Sequence, residues 1–250
     1  MNLKKILILI FLIPIHLFAS VDFDSVNDYL DCSTGLTLEK NDMSLTSWVL
    51  PVLDSEPYPR GTIVSHVSDG GGFNLEMYLD DGSASGSIII LSCDLMDSGG
   101  TVFTASVDFG DVAWKHVACI WDGTDLTPYV AGQPGTPWTI GSAADINDGK
   151  LYIGSQDGAV SFFHGQISDV SYYRRVLSVS EIETMAYSRM RGDVIPSNLR
   201  DGYWPLDDLH DGTTVHTSIF LNRASPGTNN CVGSGVNAGG TAYADILRYK

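Results

Sequence analysis

Trp114-Lys115-His116-Val117-Ala118-Cys119-Ile120-Trp121-Asp122-Gly123 is the stretch whose reading decides the fold, and it continues through Leu126-Thr127-Pro128-Tyr129-Val130-Ala131-Gly132. The run from Trp114 to Trp121 is rich in aromatic and β-branched residues and has the length of a strand. Asp122-Gly123 then supplies the positive φ that a tight hairpin demands. Leu126 to Val130 is a second run of strand length, closed by Ala131-Gly132. The segment therefore predicts an antiparallel hairpin.

The same pattern extends in both directions. Further strands are expected at Leu45 to Val52, Thr62 to His66, Phe73 to Leu79, Ser87 to Cys93, Val102 to Ser106, Leu151 to Ile153 and Gly165 to Tyr173. Between them lie Asp69-Gly70-Gly71-Gly72, Asp80-Asp81-Gly82 and Ser98-Gly99-Gly100, all of turn composition. Short strands at such spacing predict an all-β sandwich or jelly roll. One helix is expected at Ser178, where Ser178 and Glu181 form a capping box ahead of Ile182, Met185 and Ala186, and Gly192 is placed to stop it. Beyond that, residues 193–250 carry a single apolar island, Tyr203-Trp204-Pro205-Leu206, too small for a core of its own. They are read as an appendage of the domain over 21–192, adding one or two strands.

Residues 1–20 read as a signal peptide: Lys4 and Lys5 precede the apolar run Ile6 to Ile13, and small Ala19 and Ser20 offer a cleavage site. The run is too short to span a membrane. Export to an extracellular or cell-surface location follows, and loss of the two lysines moves the formal charge from −16 to −18. Such a surface repels nucleic acid and anionic headgroups. Twenty-five of the thirty acids are aspartate, the type that favours turns and hard-cation sites. In an exported chain the four cysteines can form disulfides. Three pairings are possible; Cys32 with Cys231 is preferred here, and buried thiols remain the alternative.

Three segments, in order, resemble the laminin G-like domains of the concanavalin A-like lectin and glucanase superfamily. Val21-Asp22-Phe23-Asp24-Ser25-Val26-Asn27-Asp28-Tyr29-Leu30, followed by Leu45-Thr46-Ser47-Trp48-Val49, is similar to the F-D-G-x-x-D-Y-V opening, with Ser25 in place of glycine. The Trp114–Gly132 stretch is similar to the W-x-H-V-A, Y-D-G and Y-v-d-G hairpin. Leu151-Tyr152-Ile153-Gly154, Gly165-Gln166-Ile167-Ser168-Asp169-Val170 and Leu177-Ser178 with Glu181-Ile182 resemble the ending of such domains. The resemblance implies a concanavalin A-like jelly-roll β-sandwich with one short C-terminal helix, and it puts Trp48 and Trp114 in the core. Trp204-Pro205-Leu206-Asp207-Asp208 resembles a strand that these domains carry before the opening motif, whereas here it follows the helix. A permuted edge strand and the start of a truncated second copy are both open.

Glucanases of this fold use two nearby carboxylates on an E-x-D-x-E strand. No such triplet is present, since Glu39, Glu56 and Glu76 are isolated in sequence and Glu181 and Glu183 fall on the expected helix. Serine-hydrolase and zinc-protease motifs are absent as well. His66, His116 and His164 read as packed or surface residues. The resemblance implies a structural Ca2+ held by Asp24, Asp28 and Asp169, the alternative being ordinary turn aspartates. Trp138 follows the loop Gly132-Gln133-Pro134-Gly135-Thr136-Pro137. Its indole is expected either to stack on a sugar or to fold back as a lid. The chain is thus expected to be a secreted, non-catalytic binding module for a glycan or an extracellular protein. A structural or adhesion component of a surface assembly is the alternative, and a polysaccharide-acting enzyme without a recognisable motif comes after it.

Overall fold

Each expected run contains a strand in the computed structural model, which describes residues 20–34, 41–52, 60–68, 73–81, 88–142, 149–187, 200–206, 219–220, 222–224 and 230–234. Residues 1–19 of the expected signal peptide 1–20, Glu39, Glu56, the Asp69–Gly72 turn, Gly82, Ser87, the helix stop at Gly192 and Asp207-Asp208 lie outside the described residues. The first sheet runs β1 (Val21–Asp24), β13 (His164–Tyr173), β3 (Met43–Pro51), β8 (Lys115–Trp121), β9 (Asp125–Val130), β10 (Gln133–Pro134). To it belong also β11 (Trp138–Thr139) on β9 and β14 (Gly202–Trp204) on β13. The second sheet runs β15 (Ile219–Phe220), β16 (Cys231–Ser234), β2 (Tyr29–Thr34), β12 (Gly149–Ile153), β4 (Gly61–Ser68), β5 (Phe73–Asp81), β6 (Ile89–Met96), β7 (Val102–Asp108). The described pairs are antiparallel.

Alternation turns one side chain in two towards the facing sheet. Leu75, Met77 and Leu79 of β5, Leu91, Cys93 and Leu95 of β6, and Val117, Cys119 and Trp121 of β8 meet in one core. Two disulfides pin it. Cys93–Cys119 joins β6 to β8 across the sandwich, and Cys32–Cys231 joins neighbouring β2 and β16, the pairing preferred from sequence. At the founding hairpin Gly123 has φ 87°, and a Cβ there would stand 2.9 Å from the Asn41 carbonyl oxygen. The Asp122 carboxylate accepts the amides of Thr124 and Asp125 at 2.9 and 2.7 Å, fixing the turn.

The helix α1 (Val179–Tyr187) starts where its capping box predicts. The Ser178 amide donates to Glu181 at 2.9 Å and the Glu181 amide donates to the Ser178 hydroxyl at 3.3 Å. Ile182 and Met185 cover Ala118, Ile120, Tyr129 and Tyr173 on the outer face of the first sheet. Trp48 is buried, but Trp114 is only half-buried, a correction to the expected core position, because β8 begins one residue after it.

The described strands of the tail join both sheets, β14 the first and β15 and β16 the second, three where one or two were expected. Residues Val170 to Tyr172 of β13 pair with β14, and residues 164–167 pair with β1. Since β3 takes the other side of β13, β1 and β14 lie end to end along one edge. Trp204 is fully buried in the core. That placement favours the permuted edge strand over the start of a second copy.

Candidate functional site

Strand register lines up seven side chains in one row across the second sheet: Val232, Asp31, Tyr152, Ser65, Glu76, Asp94 and Thr104. Directly opposed residues of antiparallel strands share a face. Their chain neighbours Leu30, Leu151, Met77, Cys93 and Ala105 face the core, so the row lies on the outer face. With strands about 4.8 Å apart it crosses roughly 29 Å.

The middle of the row is charged and covered. The Arg60 guanidinium lies over the Tyr78 ring at 3.6 Å and donates through Nη2 to Glu76 at 2.6 Å and to Asp94 at 3.3 Å. Thr62 and Gln156 donate to Glu76 at 2.6 and 2.9 Å, and Thr104 and Tyr78 donate to Asp94 at 2.6 and 3.3 Å. Burial raises the Glu76 carboxyl above its usual range against the pull of Thr62 and Arg60. Burial also opposes the charge on Arg60, but the Glu76 carboxylate outweighs it and holds the guanidinium above its ordinary value. Tyr78 is pushed up to about 12, by burial first and by Asp94 second. The connection between β12 and β13 runs over this region: the Ser65 hydroxyl donates to the carbonyls of Ser155 and Gln156, and the Thr62 amide donates to Ser161 at 2.9 Å.

At the other end the row opens onto half-buried aromatics. The Tyr29 ring lies 6.0 Å from Tyr152 and 6.4 Å from Phe162. A Cβ on Gly158 would stand 2.9 Å from the Tyr29 ring, so glycine is what lets the connecting loop approach this close. Lys150 pairs with Asp31 at 3.3 Å beside the rings, and burial followed by Asp31 raises the Tyr152 hydroxyl. Aromatic faces flanked by carboxylates suit a ligand with apolar C–H faces and hydroxyl donors.

The residues singled out from sequence sit elsewhere. Asp24 and Asp28 share one turn, where the Asp24 amide donates to Asp28 at 3.0 Å and the Val26 amide to Asp24 at 2.9 Å. Asp169 does not join them. Asp24 pairs with His164, five residues along β13 from Asp169, about 16 Å at strand rise. The Asp169 carboxylate instead accepts the hydroxyls of Tyr203 at 2.7 Å and Ser168 at 3.1 Å, in a bulge where its φ is 52°. These three carboxylates do not fit a single shared Ca2+. Among the described residues no group of three or more His, Cys, Asp or Glu is arranged to hold a metal. Trp138, on β11, is 52% exposed rather than folded back as a lid. By register it pairs with Leu126 of the first sheet, and β11 lies beside β7, at the opposite edge of the second sheet from Tyr29 and Asp31.

Sequence reading set Glu76 aside as isolated and passed over Asp94. Their signal is the alternation Asn74, Glu76, Tyr78, Asp80 on β5 and Ser92, Asp94 on β6, which sends polar groups to the face opposite the core. Their meeting depends on register, which no local motif records.

The comparisons agree with this architecture. A model of the concanavalin A-like lectin/glucanases superfamily matches residues 24–183, more than half of the chain. The chain superposes on a native heptameric SAP-like pentraxin from Limulus polyphemus with a TM-score of 0.53 at 18% identity, over 70% of this chain and 86% of the other. It superposes on a protein from Bacteroides ovatus assigned to carbohydrate binding with a TM-score of 0.54 at 15% identity, over 86% of this chain and 57% of the other. At these identities the likeness shows the fold. No curated protein sequence matches the chain.

Proposed function

The chain belongs to the concanavalin A-like lectin/glucanase superfamily, and from that premise we propose that it is a secreted, non-catalytic module that binds a glycan on the outer face of its second sheet. One observation carries the reading: half-buried Tyr29, Tyr152 and Phe162 stand beside the Asp31–Lys150 pair at the open end of the row. Rings offer stacking to sugar C–H faces and carboxylates accept from sugar hydroxyls. The basic and apolar start of the chain supports export, as do the two disulfides. A binding role is further supported by the state of Glu76 and Asp94. Both are buried and share the Arg60 guanidinium, whereas a glycosidase needs one carboxylic acid free to protonate a leaving group and the other free to attack or to activate water.

The test is a glycan array probed with the mature chain, beside incubation of the bound glycans with it. Selective binding without shortening of the glycan is the expected result. Turnover would make it an enzyme, and an array without signal would favour a protein ligand or an assembly role.

A further inference from the structure

Resting on the outer-face reading just given, we infer that the ligand is a neutral glycan, and that sulfated, phosphorylated or uronic glycans are rejected. Two cations stand on the described part of this face, Arg60 and Lys150, and each already has carboxylate partners: Arg60 has Glu76 and Asp94, and Lys150 has Asp31. The acids outnumber them. Asp80 lies two residues beyond Tyr78 on the same face, where burial raises its carboxyl and Arg60 and Asp94 act on it, and Asp157 acts on the Tyr152 hydroxyl. Carboxylates only accept hydrogen bonds, so they call for a ligand rich in donors. Sugar hydroxyls supply these, while a sulfate or uronate adds acceptors and like charge. The formal charge of −16 opposes a polyanion at longer range too. What remains to attract is the aromatic cluster of Tyr29, Tyr152 and Phe162, whose contribution does not depend on ligand charge.

The experiment titrates the full mature chain with a neutral oligosaccharide taken from the array and with the sulfated form of the same backbone, each at low and high salt. The expected result is binding of the neutral form that changes by less than about twofold with salt, since no exposed charge pair is made, and binding of the sulfated form that is weaker by about tenfold or more. One variant reads the same point in the opposite direction. Asp31→Asn releases Lys150 from its pair and should raise affinity for the sulfated form by about two- to fivefold, the range of an exposed ion pair. Preferential binding of the sulfated glycan by the wild type, weakened by salt and by Tyr152→Ala, would overturn the neutral specificity and leave the outer-face reading standing. Binding of the neutral form that Tyr152→Ala leaves unchanged would overturn the outer-face reading itself.

Discussion

Acidification from pH 7 to pH 5 should destabilise the fold through His116. Its imidazole is 2% exposed on β8, edge-on to Trp48 with ring centroids 5.7 Å apart. Burial alone lowers its pKa to about 3. In the unfolded chain it titrates near 6.5. A base whose folded pKa is depressed leaves the unfolded state holding the extra proton between those values. Its contribution is therefore fully present above pH 6.5 and lost as the pH falls towards 3. At pH 5 the unfolded state gains about 2 kcal/mol from this one proton. For a domain of this size that lowers Tm by about 4–8 °C. Glu76, Asp80 and Asp22 act with the opposite sign, because burial raises their carboxyls and they gain from acid. The assay therefore compares wild type with His116→Leu by thermal unfolding at both pH values. The fall in Tm between pH 7 and pH 5 should be smaller by that amount in the variant, and in the wild type the His116 ring signal should not titrate over this range. An identical fall in both proteins, or a ring titrating near 6.5, would refute the reasoning.

Trp204→Ala should cost about 3–5 kcal/mol, the range for emptying a buried aromatic site, read as a lowered denaturant midpoint. Replacing Cys32 and Cys231 with alanine should destabilise more than replacing Cys93 and Cys119, since the separations of 199 and 26 residues correspond to about 5 and about 3.5 kcal/mol of unfolded-state loop entropy; equal losses would show that loop closure does not set the size of the effect. Asp169→Ala removes the acceptor of the buried Tyr203 hydroxyl and should lower stability by about 1–3 kcal/mol, equally in excess chelator and in millimolar calcium. A loss seen only in calcium would return Asp169 to the metal.

The sandwich was readable in the sequence because its strands alternate and its turns use aspartate and glycine, as at Asp122-Gly123, and because Ser178 and Glu181 mark the helix start chemically. These are local signals. What could not be read depends on register between distant strands. Asp24 and Asp169 belong to motifs that sit together in the family pattern, yet pairing sets Asp24 opposite His164 and gives Asp169 to Tyr203 of the tail. Glu76 and Asp94 are unremarkable in sequence, eighteen positions apart, and become neighbours only because β5 pairs with β6 in that register. The tail's edge position likewise follows from β13 having one side free beyond β1.

The central claim, that the second sheet's outer face holds the glycan, is tested most directly by titrating an array-selected neutral oligosaccharide into three proteins: wild type, Tyr152→Ala and Trp138→Ala. Removing the Tyr152 ring from the row should weaken binding by about tenfold, some 1.4 kcal/mol. Trp138→Ala, on the other sheet, should bind within about twofold of wild type, as expected for a residue outside the contact. Full affinity in Tyr152→Ala together with loss of binding in Trp138→Ala would contradict the account and move the site to the first sheet.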